Sequence, residues 1–345
     1  MRQTAVVVAP GRGTYNREEL GYLGRYHKEK TALFEGFEAI RAEAGQEGLL
    51  GLDAADRYAA RHQRGDNASG LIFACAYADF LSIDRDRFDI LGVTGNSMGW
   101  YTALACAGAV SAPDGFRIAN TMGALMQAQG VGGQLVYPFF DEDWRPIPGV
   151  RAAILAKVGD IQTRRDHTLD LSIDLGGMLV LAGNEAGLSA FEAEMPRREG
   201  RYPLRLPGHA AFHTGLQAPV AAEGQARLAA SLFGAPQLPL IDGRGAFWSG
   251  RVSQPEVLRG YTLGTQVTSM YDFAAAIRVT ARDLMPDVFI VLGPGNTLGA
   301  SVAKSLIEAG WRGLRDKADF KDRQRRAPVV LSMGLSAQRE DVTGP

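Results

Sequence analysis

A chain of 345 residues, 46% hydrophobic and 22% charged, has an ordinary globular composition and is long enough for one large domain with a smaller one attached. Its formal net charge of -1 offers neither a nucleic acid nor a membrane surface anything to grip by bulk electrostatics. The two cysteines, Cys75 and Cys106, lie in apolar, helix-like stretches and read as buried thiols, not a disulfide, which fits a reducing cytoplasm.

The chain opens into Thr4-Ala5-Val6-Val7-Val8-Ala9, a β-branched run expected of a central parallel strand covered on both faces. No leader is read ahead of it, no apolar run reaches membrane-spanning length, and the expected setting is cytoplasmic. The strand ends in the loop Pro10-Gly11-Arg12-Gly13-Thr14, where open α/β sheets place their ligands; the loop is either a plain turn or one wall of a pocket. Glu18 to Glu43 and Asp53 to Gln63 are charged and helical in pattern, and Ala68 to Phe80 reads as a buried helix. Leu81 to Arg87 is a polar connector into a strand at Phe88-Asp89-Ile90-Leu91.

Gly92 to Gly99 then carries a strand-to-helix turn, and Gly95-Asn96-Ser97-Met98-Gly99 fits the Gly-x-Ser-x-Gly elbow. A serine on so sharp a turn is crowded from both sides, so the residues two before and two after it must lack side chains. Its hydroxyl is then exposed, and the N–H of Met98 can face an oxyanion. Helices are expected to about Gly108 and from Ala112 to Gln127. After Gly130-Val131-Gly132-Gly133 the character changes. Strand-like Gln134 to Pro138, apolar Arg151 to Val158, alternating Leu169 to Ile173, strand-like Met178 to Gly183 and a short helix from Gly187 to Met195 suggest a small α+β insert. Arg197 to Tyr202 reads as a solvated loop.

His209 and His213 follow, four residues apart. As a metal pair they lack a third ligand at suitable spacing. His213, beside Phe212 and ahead of an expected helix, is the better general-base candidate; His209 reads as structural. Gln237 to Gly243 is a short strand into a turn, Gln266 to Phe273 opens a helix running to about Asp283, and Val288 to Leu292 is another strand. Leu298 to Glu308 is an amphipathic helix, Val329 to Met333 a last strand, and Gln338 to Pro345 a frayed polar tail. There are no repeats and no low-complexity tract.

Several of these segments, taken in order from about residue 4 to 306, resemble the malonyl-CoA:acyl carrier protein acyltransferase family. Val8-Ala9-Pro10-Gly11-Arg12-Gly13 is similar to its "PGQG" loop, and Gly95 to Leu104 to its "GHSLGEYTAL" elbow. Ala211-Phe212-His213-Thr214 is similar to its "FHS" motif. Gln266 to Met270 resembles its "Q-x-x-x-P" segment with Met270 for proline, and Val291 to Gly295 its "E-x-GPG" segment with Val291 for glutamate. The resemblance implies an α/β fold, with an α/β-hydrolase-like core around a parallel sheet (residues 1–130 and 207–345) interrupted by a ferredoxin-like subdomain (131–206). It implies an acyl-serine at Ser97 with His213 as base, an oxyanion held by the backbone N–H groups of Met98 and Arg12, and a histidine oriented by the backbone carbonyl of Gln266. It further implies acyl-CoA as donor, acyl carrier protein as acceptor through its phosphopantetheine thiol, and no bound cofactor or metal.

The departures bear on the acyl group. Where malonyl-loading members carry the arginine of "R-G-x-x-M-Q", this chain has Met122. Arg117 lies five residues earlier, about 140° away around a helix, and is a poor substitute. The family's asparagine of "N-x-P-G-Q" matches Asp174, so the acyl pocket is expected to lose a positive charge at Met122 and gain a negative one at Asp174. Asn96 and Trp100 replace the usual His and Glu, and Arg12 replaces Gln on the opposite wall. An uncharged acyl group is therefore expected. The same serine and histidine also suit an acyl-thioester hydrolase, and a third reading is a catalytically silent member acting as a protein-binding module.

Overall fold

The computed structural model describes residues 2–250 and 252–344. Its strands are β1 Gln3–Ala9, β2 Phe88–Gly95, β3 Gly133–Pro138, β4 Leu169–Asp174, β5 Met178–Gly183, β6 Leu204–Arg205, β7 Leu240–Ile241, β8 Phe247–Trp248, β9 Tyr271–Asp272, β10 Val288–Val291 and β11 Val330–Ser332. The larger sheet has the order β11-β10-β1-β2-β7-β8, and every pairing in it is parallel except β7 with β8. The continuous apolar run of β1 places it in mid-sheet between β2 and β10, with Ala5 to Ala9 wholly buried.

Helix Gly65–Leu81 is buried nearly all round, which accounts for its lack of a polar face. It packs backbone to backbone against helix Ala112–Gln129: a Cβ on Gly65 would stand 2.7 Å from the Gly123 carbonyl oxygen, and one on Gly123 2.4 Å from that of Gly65. Helix Ala112–Gln129 starts at an N-cap, Ser111, whose hydroxyl accepts from the Asp114 N–H.

Between Gly133 and Arg205 the chain builds a second sheet along a β-α-β-β-α-β path, with helices Val150–Gln162 and Glu185–Glu194 as the crossovers. Its order is β6-β3-β5-β4, all antiparallel, and β9 joins β4 in parallel as a fifth strand. That fifth strand corrects one expectation. Gln266 does not open the helix that ends at Asp283. Gln266–Thr268 closes a helical stretch begun at Pro255, β9 follows, and the new helix starts at Phe273, capped by the Asp272 carboxylate. Tyr271 fits a pleated, buried position better than a helical one.

The C-terminal segment is also corrected. Ser336–Thr343 is a helix with Arg339 and Val342 buried; Pro345 lies outside the described residues. A fully buried carboxylate, Asp79, anchors it. Asp79 accepts from Arg339 Nη2 at 2.6 Å, His27 Nε2 at 2.7 Å, Tyr22 Oη at 2.8 Å and the Gly293 N–H at 2.8 Å. Composition alone marks this segment as polar; the buried partner that holds it is some 260 residues away in sequence.

Candidate active site

The elbow follows from sterics. At Gly95 a Cβ would fall 2.4 Å from the backbone of Gly99, and at Gly99 it would fall 2.4 Å from the Ala9 carbonyl oxygen, so neither position admits a side chain. Gly11 is restricted in the same way by the Asn96 carbonyl at 2.6 Å, which seats the loop after β1 against the elbow. Between the two elbow glycines Ser97 is held at φ 54°, a left-handed conformation costly for a non-glycine residue. Helix Gly99–Cys106 begins directly after it.

His213 arrives from the loop after the insert and is also left-handed, at φ 57°. Its loop is pinned on both sides. Ser172 of β4 donates to the Phe212 carbonyl at 2.8 Å, Ala211 N–H donates to Val131 at 2.8 Å, and Thr214 closes back on Ala211 at 2.7 Å. The result places Nε2 2.7 Å from Ser97 Oγ and Nδ1 2.6 Å from the Gln266 carbonyl oxygen. A carbonyl can only accept, so Nδ1 carries the proton, and the Nε2 lone pair faces the serine hydroxyl, which donates. Burial pushes the imidazole pKa down to about 4, against the smaller opposing effect of the Gln266 carbonyl, so the ring is neutral at pH 7.

Gln266 also works through its side chain: Nε2 donates to the Ser97 carbonyl at 3.0 Å and Oε1 accepts from Tyr101 Oη at 3.3 Å. Tyr271 Oη donates to the Gly95 carbonyl at 2.6 Å, and its ring centre lies 5.5 Å from that of His213. Residue-by-residue reading missed Tyr101 and Tyr271 because a lone tyrosine in an apolar segment carries no pattern; only the fold brings them to the elbow.

Ser97, Met98, His213, Gln266, Arg12 and Met122 line one cavity, together with Ser69, Tyr101, Met126, Phe212 and Val267. The wall around Met122 is apolar, and Gly224 makes room for it: a Cβ there would stand 2.6 Å from the Met122 sulfur. Arg12 lines the same cavity, its Nη2 donating to the carbonyls of Gln63 and Gly208 at 2.9 Å each and its guanidinium 5.4 Å from the Phe212 ring centre. Burial lowers its pKa from the usual arginine value, with Asp66 acting weakly in the other direction. Neither the Arg12 nor the Met98 N–H has an acceptor among the described residues.

Two charged groups lie elsewhere. Arg117 pairs with Glu43 at 3.1 Å, away from the cavity. Asp174 does not line the cavity at Ser97, contrary to expectation: it ends β4, is buried, and its carboxylate meets Arg151 at 2.6 Å and the Gly176 N–H at 3.2 Å. β4 carries a bulge between Leu171 and Ile173 in its pairing with β5, which sequence does not reveal. His209 bonds to Gln134 Oε1 at 2.8 Å, and burial and the nearby Arg12 push its pKa down to about 3.

No family model matches the chain. A stretch of 153 residues, 44% of this chain, is 26% identical to the malonyl CoA-acyl carrier protein transacylase of Salmonella typhimurium and spans 46% of that protein, about half its length. Over 253 residues, 72% of this chain, it is 26% identical to 4% of polyketide synthase GfsB of Streptomyces halstedii. A solved complex of a type II polyketide acyl carrier protein with its malonyl-transacylase superposes with a TM-score of 0.74 at 17% identity, covering 98% of this chain and 97% of that one. The chain is thus similar in part of its sequence to a malonyl CoA-acyl carrier protein transacylase and to a segment of a polyketide synthase, and in fold to a malonyl-transacylase. The mixed α/β architecture around a parallel sheet, expected from sequence, is the transacylase fold. Among the described residues no helix is long and apolar enough to cross a membrane.

Proposed function

We propose that this chain is an acyl-CoA:acyl carrier protein S-acyltransferase that works through an acyl-serine and prefers an uncharged acyl group. The observation that carries the reading is the relay Ser97–His213–Gln266 carbonyl, with contacts of 2.7 and 2.6 Å, at the wall of a cavity. Ser97 Oγ attacks the thioester carbonyl carbon while His213 Nε2 takes its proton. The oxyanion falls to the N–H groups of Met98 and Arg12. Collapse breaks the carbon–sulfur bond, and the imidazolium returns the proton to the leaving CoA thiolate. In the second half the carrier's phosphopantetheine thiol gives its proton to His213 and attacks the ester carbonyl, and Ser97 leaves reprotonated. A carbonyl in place of the carboxylate of a Ser-His-Asp triad orients the ring without adding negative charge. These residues fill every role without a cofactor, and the acyl carrier protein seen with the solved transacylase supports the choice of acceptor. We place the reaction in the cytoplasm, on the unpaired, buried thiols of Cys75 and Cys106.

The uncharged preference rests on the cavity wall at Met122. A free carboxylate placed there meets thioether and aromatic groups, while the guanidinium that lines the cavity, Arg12, is already bonded to the carbonyls of Gln63 and Gly208 and set against Phe212, and desolvating the carboxylate unpaired costs several kcal/mol. The expected repulsion from Asp174 plays no part, since that group is paired outside the cavity.

Mass spectrometry of the protein after incubation with acetyl-, butyryl- and malonyl-CoA tests the reading. The expected product is an ester on Ser97, formed fastest from the uncharged donors, lost in Ser97→Ala, and passed to holo-carrier protein. Label released as free acid in the presence of carrier, or faster loading from malonyl-CoA, would reject it.

A further inference from the structure

Beyond the Arg12 side chain lies a second cavity, lined among others by Tyr15, Tyr58, Ala68, Ile72, Leu206 and His209. Counted to their open mouths, the cavity at Ser97 holds about 460 Å³ and this one about 670 Å³. Of the residues lining the two, Arg12 alone is common to both. Helix Gly65–Leu81 runs past each, giving Ser69 to the first and Ala68 and Ile72 to the second.

The guanidinium between them is lightly held. One nitrogen, Nη2, makes both of its hydrogen bonds, to the carbonyls of Gln63 and Gly208. No carboxylate forms an ion pair with it among the described residues, and Asp66, the acid nearest in effect, is taken by Arg64 at 2.8 Å. Its other tether is the face of Phe212. Arg12 is half-buried, and its long flexible side chain can exchange these carbonyls for water by rotating outward.

We propose that Arg12 is a specificity-determining partition. With the guanidinium across the passage, the cavity at Ser97 takes a short acyl chain. With it swung outward or removed, the second cavity receives the distal carbons of a medium-length, uncharged acyl chain whose thioester stays at Ser97. Tyr15, Tyr58, Ala68, Ile72 and Leu206 supply apolar surface for such a chain, beside the polar Asn16, His62, Gln63 and His209. The proposal rests on the acyl-serine reading above.

Acylation of Ser97 by acetyl-CoA and octanoyl-CoA in single turnovers tests it, because the two donors share everything but chain length. The native protein should favour acetyl, and Arg12→Ala should raise the octanoyl-to-acetyl ratio about tenfold. Leu206→Trp, which fills the second cavity from a half-buried loop position, should return the ratio to the native value when combined with Arg12→Ala and leave acetyl transfer unchanged alone. A ratio unmoved by Arg12→Ala overturns the proposal. So does an equal change at both chain lengths, which would place Arg12 on the CoA portion or the oxyanion. In the Ser97→Ala background, dissociation constants of the two thioesters with and without Arg12→Ala read the partition by binding alone. Absence of any acyl-serine in the native protein would then reject the acyl-serine reading and leave the partition to be judged by those constants.

Discussion

His213 is buried and neutral, and that single fact controls two pH dependences. With its pKa pushed down to about 4, acylation of Ser97 should stay level through neutral pH and fall only as the pH nears that value; a rate profile with its acid limb near 6.5 would contradict this. For stability, the unfolded chain takes up protons at His209 and His213 below about 6.5, while the folded rings refuse them until about 3 and 4. The unfolded state binds more protons throughout that window, so stability falls as pH drops from about 6.5 toward 4, measurable as a falling denaturant midpoint. Replacing His213 by Gln should lower the acylation rate by about 10²–10⁴-fold. Met122→Arg should raise the malonyl-to-acetyl ratio at least about tenfold by placing a bidentate cation on the apolar wall, provided the melting temperature shows the variant folded. An unchanged ratio would separate Met122 from acyl choice.

At the scale of elements, three pieces of chain from distant parts of the sequence converge on one turn. The β1 loop presses on Gly99 through the carbonyls of Ala9 and Pro10, so Gly99→Ala should displace the loop or the elbow and cost both stability and acylation. Normal kinetics in that variant would show that the contact can relax. The insert acts at a distance. Ser172 on β4 holds the carbonyl of Phe212, one residue before the base, and Ser172→Ala should reduce the acylation rate with little change in the affinity for acyl-CoA. The last turn of the helical stretch Pro255–Thr268 holds Gln266, whose carbonyl orients His213, and β9 follows with Tyr271 against the Gly95 carbonyl.

Across the whole molecule, the active cavity lies among the parallel sheet's loops, the insert-side histidine loop and helix Ala112–Gln129, so its integrity depends on how the chain closes. The closure at the far end is the Asp79 cluster, which ties the C-terminal helix through Arg339 to Tyr22, His27 and the loop after β10. Arg339→Met removes the cation and leaves a fully buried carboxylate short of its main partner. A loss of about 3–5 kcal/mol in unfolding free energy is expected by chemical denaturation. A loss below about 1 kcal/mol would mean that His27 and the Gly293 N–H suffice.

What the amino-acid sequence determined by itself is what local sterics and periodicity dictate. β-branched β1 had to be a covered strand. The glycines at 95 and 99 had to flank a cramped turn around the serine, and the change in character after Gly130 falls where the second sheet begins at Gly133. The order of the motifs also carried the resemblance to transacylases, to which the chain is similar in part of its sequence and in fold. Tertiary structure alone decided where charges meet. Asp174, matched by its motif to the acyl pocket, turns out to serve Arg151, because the helix packed beside a strand's end, not spacing along the chain, supplies the partner of its last residue. The polar C-terminus became a docked helix with Arg339 and Val342 buried for the same reason: one arginine found a carboxylate across the molecule, and no local pattern records a contact between residues 260 apart.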